Sequence, residues 1–269
     1  MRLAMSNIAW SMQAEPLAMR ALREHGFTGI EVAPTKLWPA WEGATLQAAR
    51  QYRERAATEG FLIPALQAVL FDKPECRLFG TPSNQQSLRE HLRKVYALAE
   101  SLGASAIVLG APKNRDKGAL SDAEALRIAA DFFRLEGEAA RNFGVCLCIE
   151  PNPVAYGCNF VTTSTEGLAL VKAANSRGFR LHLDAAGMHL SGEDATPAIA
   201  RAAQYVAHYH VSEPNLGDFH QPQVDHAKAL RALRASSYAG WLSVEMREAP
   251  DALAAIDTAA RYLAALVAG

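Results

Sequence analysis

Four short apolar runs in the C-terminal half of the chain each finish in a side chain able to bind a metal ion or carry a proton. VCLCIE ends in Glu150, FRLHLD in Asp184 and WLSVE in Glu245, and VAHYHV carries His210 next to its end. Successive members lie roughly 25–35 residues apart, about the length of one strand-plus-helix unit. Strands at that spacing, laid side by side, put the four side chains at equivalent places around one point. Three carboxylates gathered out of water repel one another unless a cation or protons compensate. A divalent ion, with the imidazole as fourth ligand, is the compensation these residue types make best. One such carboxylate alone would be read as a helix cap; four on consecutive strands are read as a site for one divalent metal ion. The set is rich in oxygen, which suits Mn²⁺ or Mg²⁺ and is compatible with Zn²⁺ or Co²⁺.

The elements that must position these residues announce themselves by a repeat. An amphipathic helix runs into a glycine, and a short apolar run rich in β-branched residues follows at once. This happens at Gly26, Gly60, Gly103, Gly144, Gly178 and Gly240. A glycine there lets the chain leave the helix through the left-handed region and turn back into a strand. The gap between Gly178 and Gly240 holds one more helix-to-strand passage, ATPAIARAAQYVAHYHVS, without a glycine. With RLAMSNI as a strand before the first helix and DALAAIDTAARYLAALVAG as a closing helix, the inventory is that of an α/β protein, a (β/α)8 TIM barrel. The sequence predicts one such domain over residues 1–269. In that fold the C-terminal ends of the strands carry the active site, and the longest irregular stretches, Pro34–Gly43, Phe71–Ser87 and Pro214–Asp225, each follow a strand.

Strand alternation sharpens the picture. If Glu150 faces the interior, so do Cys148 and Cys146, which are read as barrel core. By the same rule His182 lies beneath Asp184, His208 beneath His210, and Ser243 beneath Glu245. The two deeper histidines are candidate partners for the carboxylates or fillers of a polar layer. Further candidates for the pocket are Glu31 and Gln67, near the ends of strands two and three, and Glu213 in the seventh loop. Arg115, in GAPKNRDKG after strand four, is placed to hold a substrate carboxylate or phosphate, and an ordinary surface arginine fits the same position.

The balance of 27 Lys and Arg against 28 Asp and Glu, a net charge of -1, gives no overall attraction to nucleic acid or to an anionic membrane. No run reaches the ~18 apolar residues of a membrane span. Met1–Trp10 lacks the apolar core of a secretory signal, and four cysteines are too few for a disulfide scaffold. The expectation is a cytoplasmic protein whose partner is a small molecule; a homo-oligomer is compatible with the sequence.

The order Glu, Asp, His, Glu at the ends of strands five to eight resembles the xylose isomerase-like TIM-barrel superfamily, which includes sugar isomerases, ketose 3-epimerases, inosose dehydratase-like proteins and the endonuclease IV branch. HYHVSEPN…YAGWLSVE is similar to that family's last two strands, and VLGAPKNR and ALQAVLFDKPECRLFG are similar to a sugar phosphate isomerase/epimerase subgroup. The resemblance implies that Glu150, Asp184, His210 and Glu245 bind one divalent cation. It also implies that Glu150 and Glu245 are the catalytic pair that moves protons. The chain departs from the pattern twice. Gly187 stands where such epimerases often carry a histidine, leaving His189 as the nearest substitute, and Leu216 stands where they place an arginine.

The chemistry implied is Lewis-acid activation of a carbonyl by the metal, with one glutamate removing the acidified proton and the other returning one. Epimerisation, isomerisation and dehydration of a cyclitol or hydroxy acid share this machinery, so isomerase/epimerase leads and a dehydratase stays open. An endonuclease is disfavoured because strands two to four hold no histidine. A non-catalytic barrel is disfavoured by the complete ligand set. The acidic residues after strands seven and eight, Glu213, Asp218, Asp225, Glu248 and Asp251, predict helix N-termini capped by the protein itself, hence an unphosphorylated substrate.

Overall fold

Every run read as a strand forms one. The computed structural model describes residues 1–236 and 238–269. Its strands are β1 (Arg2–Ser6), β2 (Gly29–Glu31), β3 (Ala65–Leu66), β4 (Ala106–Leu109), β5 (Cys146–Ile149), β6 (Phe179–Asp184), β7 (Val206–Ser212) and β8 (Trp241–Glu245). They pair in parallel in the order β2-β1-β8-β7-β6-β5-β4-β3, and the bridges Gly29↔Leu62 and Val32↔Leu66 close the ring between β2 and β3. The helices are α1 (Glu15–Glu24), α2 (Pro34–Leu37), α3 (Leu46–Thr58), α4 (Pro82–Leu102), α5 (Asp122–Arg141), α6 (Ser164–Ala174), α7 (Ala185–Leu190), α8 (Ala195–Ala202), α9 (His226–Ala235) and α10 (Ala252–Ala268). This is the (β/α)8 barrel the repeat predicts. Among the described residues no helix is long and apolar enough to cross a membrane.

Local chemistry sets the boundaries. Thr81 and Asn84 form a capping box that starts α4, so the irregular stretch read as Phe71–Ser87 stops earlier, at the first turn of that helix. Gly26, Gly60, Gly103 and Gly144 do adopt left-handed φ, at +77°, +85°, +78° and +69°. Gly178 and Gly240 do not. A Cβ on Gly178 would sit 2.0 Å from the carbonyl oxygen of Gly137 in α5, and one on Gly240 would sit 2.4 Å from the Tyr238 ring. Gly178 is a glycine because the backbone of α5 passes too close for a side chain.

The apolar residues that alternate with the interior positions, Leu147, Ile149, Leu181, Leu183, Leu242 and Val244, are buried beneath the helices. Inside the barrel, Cys148 packs with Ala65 and Ala106, and Cys146 borders them, as expected of core positions. Register then decides which polar side chains meet. Cys148 lies opposite Arg180 and Ile149 opposite Leu181, so one step further Glu150 comes level with His182. Leu181 pairs with Val206 but His182 pairs with His208, so β7 carries one extra residue here, a bulge. The bulge turns His208 inward and puts His210 opposite Asp184. Across the next pair, Ser212 lies opposite Glu245.

Candidate metal and active site

At the C-terminal mouth, β5, β6, β7 and β8 bring Glu150, Asp184, His210 and Glu245 together. Nδ1 of His210 lies 3.3 Å from Glu245 and 3.9 Å from Asp184. His182 joins them: ligand-capable atoms of Glu150, His182, Asp184 and His210 all lie within 4.8 Å of one another. Room for Glu150 comes from Gly110 at the end of β4, where a Cβ would meet Oε2 of Glu150 at 1.6 Å.

His210 is held from below. Both oxygens of Glu31, on β2, lie 3.0 Å from its Nε2, and His208 Nε2 is 3.1 Å from the same carboxylate. With Nε2–H donated to Glu31, Nδ1 is aimed into the carboxylate cluster, and no hydrogen bond satisfies it there. Asp184 is fixed in turn. Its Oδ2 accepts from the Ser212 hydroxyl, and Oδ1 accepts from the Gly187 amide at 2.6 Å, where α7 begins.

The electrostatics are those of a site short of positive charge. Burial, then the nearby Asp184 and Glu245, push Glu150 up to about 8. Burial and Glu245 push Asp184 up to about 6. Burial would lower the His210 imidazolium, but Glu31 and Glu245 outweigh it and hold His210 well above the ordinary histidine range. Burial would likewise raise Glu31, yet His210 and His208 hold it well below the usual carboxylate range. Burial, with His210 and His208 beside it, keeps His182 neutral. Neither nitrogen of His182 has a hydrogen-bond partner. A buried polar group left so costs about 1–3 kcal/mol.

These residues fit a divalent cation. Three carboxylates converge, one imidazole nitrogen already points at them, and a second imidazole lies alongside without a partner. The carboxylate beneath His210 orients the ring and raises its basicity, as in most histidine metal sites.

The other candidates are placed differently from expectation. Glu31 does not line a pocket: it is fully buried beneath His210 and His208. Gln67 is buried too, and its amide donates to the Ser6 hydroxyl inside the barrel. Arg115 is not available to a substrate anion. Its guanidinium is buried behind β5, donating to the carbonyls of Phe160 (3.0 Å), Leu109 (3.2 Å) and Glu150 (2.8 Å) and to Asn152 (2.8 Å). It braces the backbone of Glu150. Glu213 spends both oxygens within its own loop, on the amides of Gln223 and Val224 and on His226. His189 is exposed on α7 and borders a hollow of about 170 Å³ with Glu193, Asp194 and Lys228, beside Tyr209 on the outer face of β7. The substitute for the histidine missing at Gly187 therefore does not face the cluster.

The neighbouring cavity is lined by none of Glu150, Asp184, His210 and Glu245. It has a volume of about 590 Å³ and opens between the loops after β3 and β4, lined by Leu70, Phe71, Lys73, Arg77, Lys113 and Tyr156 among others, and reaches Gly110 beside Glu150. Burial, followed by Asp184, Glu245 and Glu150, pushes the Tyr156 phenol up, and its oxygen accepts from the Asn215 amide at 2.8 Å. Sequence reading missed Tyr156, Ser212 and the lysines of this cavity. Tyr156 and the lysines end no strand and reach the mouth only through the packing of non-consecutive loops, while Ser212 ends β7 but is a small uncharged side chain that the spacing does not single out.

Known proteins bear on the geometry. The family described as xylose isomerase-like TIM barrel matches residues 19–266. An L-ribulose 3-epimerase of Mesorhizobium japonicum is 30% identical over 166 residues, 58% of this chain and 52% of that protein, so the match takes in about half of the relative's length. An L-ribulose 3-epimerase of Methylomonas sp. is 24% identical over 241 residues, 88% of this chain and 79% of that protein. Among solved structures, a D-psicose 3-epimerase crystallised in the presence of D-fructose superposes with a TM-score of 0.80 at 17% identity, over 98% of this chain and 97% of that one, a likeness of fold.

A pH dependence follows from the raised carboxyls. In the metal-free protein Glu150 and Asp184 titrate above their unfolded values of 4.5 and 3.8, so the stability they contribute is lost as pH rises through about 6 and about 8. An ion that displaces their protons should recover that loss. The rise in Tm on saturation with Mn²⁺ is expected to be larger at pH 8 than at pH 6 in differential scanning calorimetry. A rise that is flat or shrinks with pH would contradict this reading.

Proposed function

Because the chain belongs to the xylose isomerase-like TIM-barrel family, we propose that it is a divalent-metal-dependent sugar or polyol epimerase or isomerase. The observation that carries the proposal is the pair Glu150, just after β5, and Glu245, at the end of β8, on either side of Asp184 and His210 in the order of the strands at one mouth of the barrel. The naming of two sequence relatives as L-ribulose 3-epimerases supports the same reaction class.

Glu150, Asp184, His210 and Glu245 would hold the ion, with Mn²⁺ or Mg²⁺ suited to the carboxylates and Zn²⁺ or Co²⁺ to the nitrogen. When bound, the ion would polarise a substrate carbonyl and acidify the adjacent C–H bond. One glutamate then removes that proton, and the glutamate across the site supplies a proton from the other side. Return to the same carbon inverts it; return to the neighbouring carbon moves the carbonyl. Arg115, by gripping the Glu150 carbonyl, keeps that residue's carboxyl in place. Dehydration of a cyclitol or hydroxy acid uses the same groups and is the second reading.

Substitution of Glu150→Gln or Glu245→Gln should lower turnover on a responsive ketose by about 10²–10⁴-fold. Proton NMR in D₂O, following both the product and deuterium entering at the carbon next to the carbonyl, measures this. Turnover within a few-fold of the parent in either variant would remove that residue from the proton-transfer pair.

The substrate's charge is read from the mouth. Asp225 and Asp251 cap α9 and α10, so those helix N-termini are satisfied by the protein, as their loops predict. The expectation of an unphosphorylated substrate rests on those two loops alone, whereas the cavity is lined on the opposite side by Lys73, Arg77 and Lys113 against a single acid, Asp72. Neither Arg77 nor Lys113 has a carboxylate within ion-pair distance among the described residues, and the carboxylate near Lys73 is at 4.0 Å. A ketose with a carboxylate or phosphate at the end away from its carbonyl is therefore expected to have a lower KM than its neutral counterpart. Lys113→Met should shrink that difference with little change in kcat. Equal KM values for matched charged and neutral ketoses would return the reading to a neutral sugar.

A further inference from the structure

His182 is a buried imidazole on β6. It sits two residues before Asp184 on the same interior face of β6, level with Glu150 across the β5–β6 pairing. It is completely buried. Five histidines are buried among the described residues, and four of them have a hydrogen bond: His91 to the Val69 carbonyl, His208 and His210 to Glu31, and His226 to Glu213. His182 alone has none on either nitrogen. Its ring stands edge-on to His210, with 4.1 Å between centroids, and one of its nitrogens lies within 4.8 Å of ligand atoms of Glu150, Asp184 and His210 together. Ligands of a common first-row ion are separated by distances of this order, because each lies about 2.0–2.2 Å from it.

Resting on the reading that this mouth holds a divalent ion, we propose that His182 is a direct ligand of that ion. The donor set then contains two imidazoles, His182 and His210, with the carboxylates of Glu150 and Asp184, and Glu245 approaches from the His210 side. A second nitrogen moves the preference away from Mg²⁺ and Mn²⁺ and toward Zn²⁺ or Co²⁺, since imidazole is a better ligand for the later metals. It also accounts for an imidazole left without partners inside the barrel: the ion takes one nitrogen's lone pair.

The test uses the full-length chain loaded with Zn²⁺, Co²⁺ or Mn²⁺ alone, with no substrate. In a crystal structure of the zinc form, a His182 nitrogen is expected about 2.0–2.1 Å from the ion. In solution, His182→Gln should weaken Zn²⁺ binding by about 10–100-fold or more, with a smaller effect on Mn²⁺, and should shift the visible absorption of the Co²⁺ form. His226→Asn removes a buried histidine whose partner is Glu213, away from the four-residue cluster, and it should leave the Co²⁺ bands in place. A zinc ion bound to Glu150, Asp184 and His210 with the His182 ring out of contact would overturn the proposal while sparing the metal site. So would a folded His182→Gln protein whose Co²⁺ spectrum and Zn²⁺ affinity match the parent. Failure of the parent protein to bind any of the three ions would overturn both readings together.

Discussion

The contact on which the rest of the mouth depends is the one between Glu31 and His210. Glu31 is completely buried, and both of its oxygens lie 3.0 Å from Nε2 of His210. A carboxylate in that position is stable only because two imidazoles face it, and the imidazole of His210 keeps its orientation only because the carboxylate takes its Nε2–H. The consequence is directional: Nδ1 must face Asp184, Glu245 and Glu150. Without Glu31 the ring could turn, and the three carboxylates would face one another with no fixed nitrogen among them.

Around this contact the barrel supplies constraints of different kinds. The bulge in β7 lets His208 and His210 both face inward, so that one carboxylate serves two rings. Gly110 yields the volume that the Glu150 carboxyl occupies, and Arg115 holds the backbone of the same residue from behind. Ser212 and the start of α7 fix Asp184. Each device lies on a different strand or loop. The site is thus a property of the closed ring of strands rather than of any local motif.

The barrel itself was legible because each of its units repeats the same transition from an amphipathic face to an apolar, β-branched run. The four strand-end residues were legible because their spacing matches that repeat. Interior alternation also foretold that Cys148, His182 and His208 point inward. The limits have physical causes. Strand ends look equivalent in a sequence, but the strands of a barrel are staggered, so Glu150 falls level with His182 rather than with Asp184. Arg115 and Glu213 follow strands and carry charge, which resembles a binding residue; their role as loop braces depends on carbonyls and amides supplied by distant segments. Glu31 was rightly placed at a strand end, yet only register shows that it lies under His210 and not over the pocket. Gly178 follows the glycine pattern for a reason the pattern does not contain, the close passage of the Gly137 carbonyl.

Titration calorimetry of Zn²⁺ and Mn²⁺ into the parent protein and a Glu31→Gln variant shows whether Glu31 sets up a metal-binding imidazole. The amide keeps the size of the side chain and loses the charge that orients and strengthens His210. The parent is expected to bind one ion per chain and the folded variant to bind it about 10–100-fold more weakly. Equal affinity in the two proteins would show that Glu31 does not set the ligand nitrogen of His210.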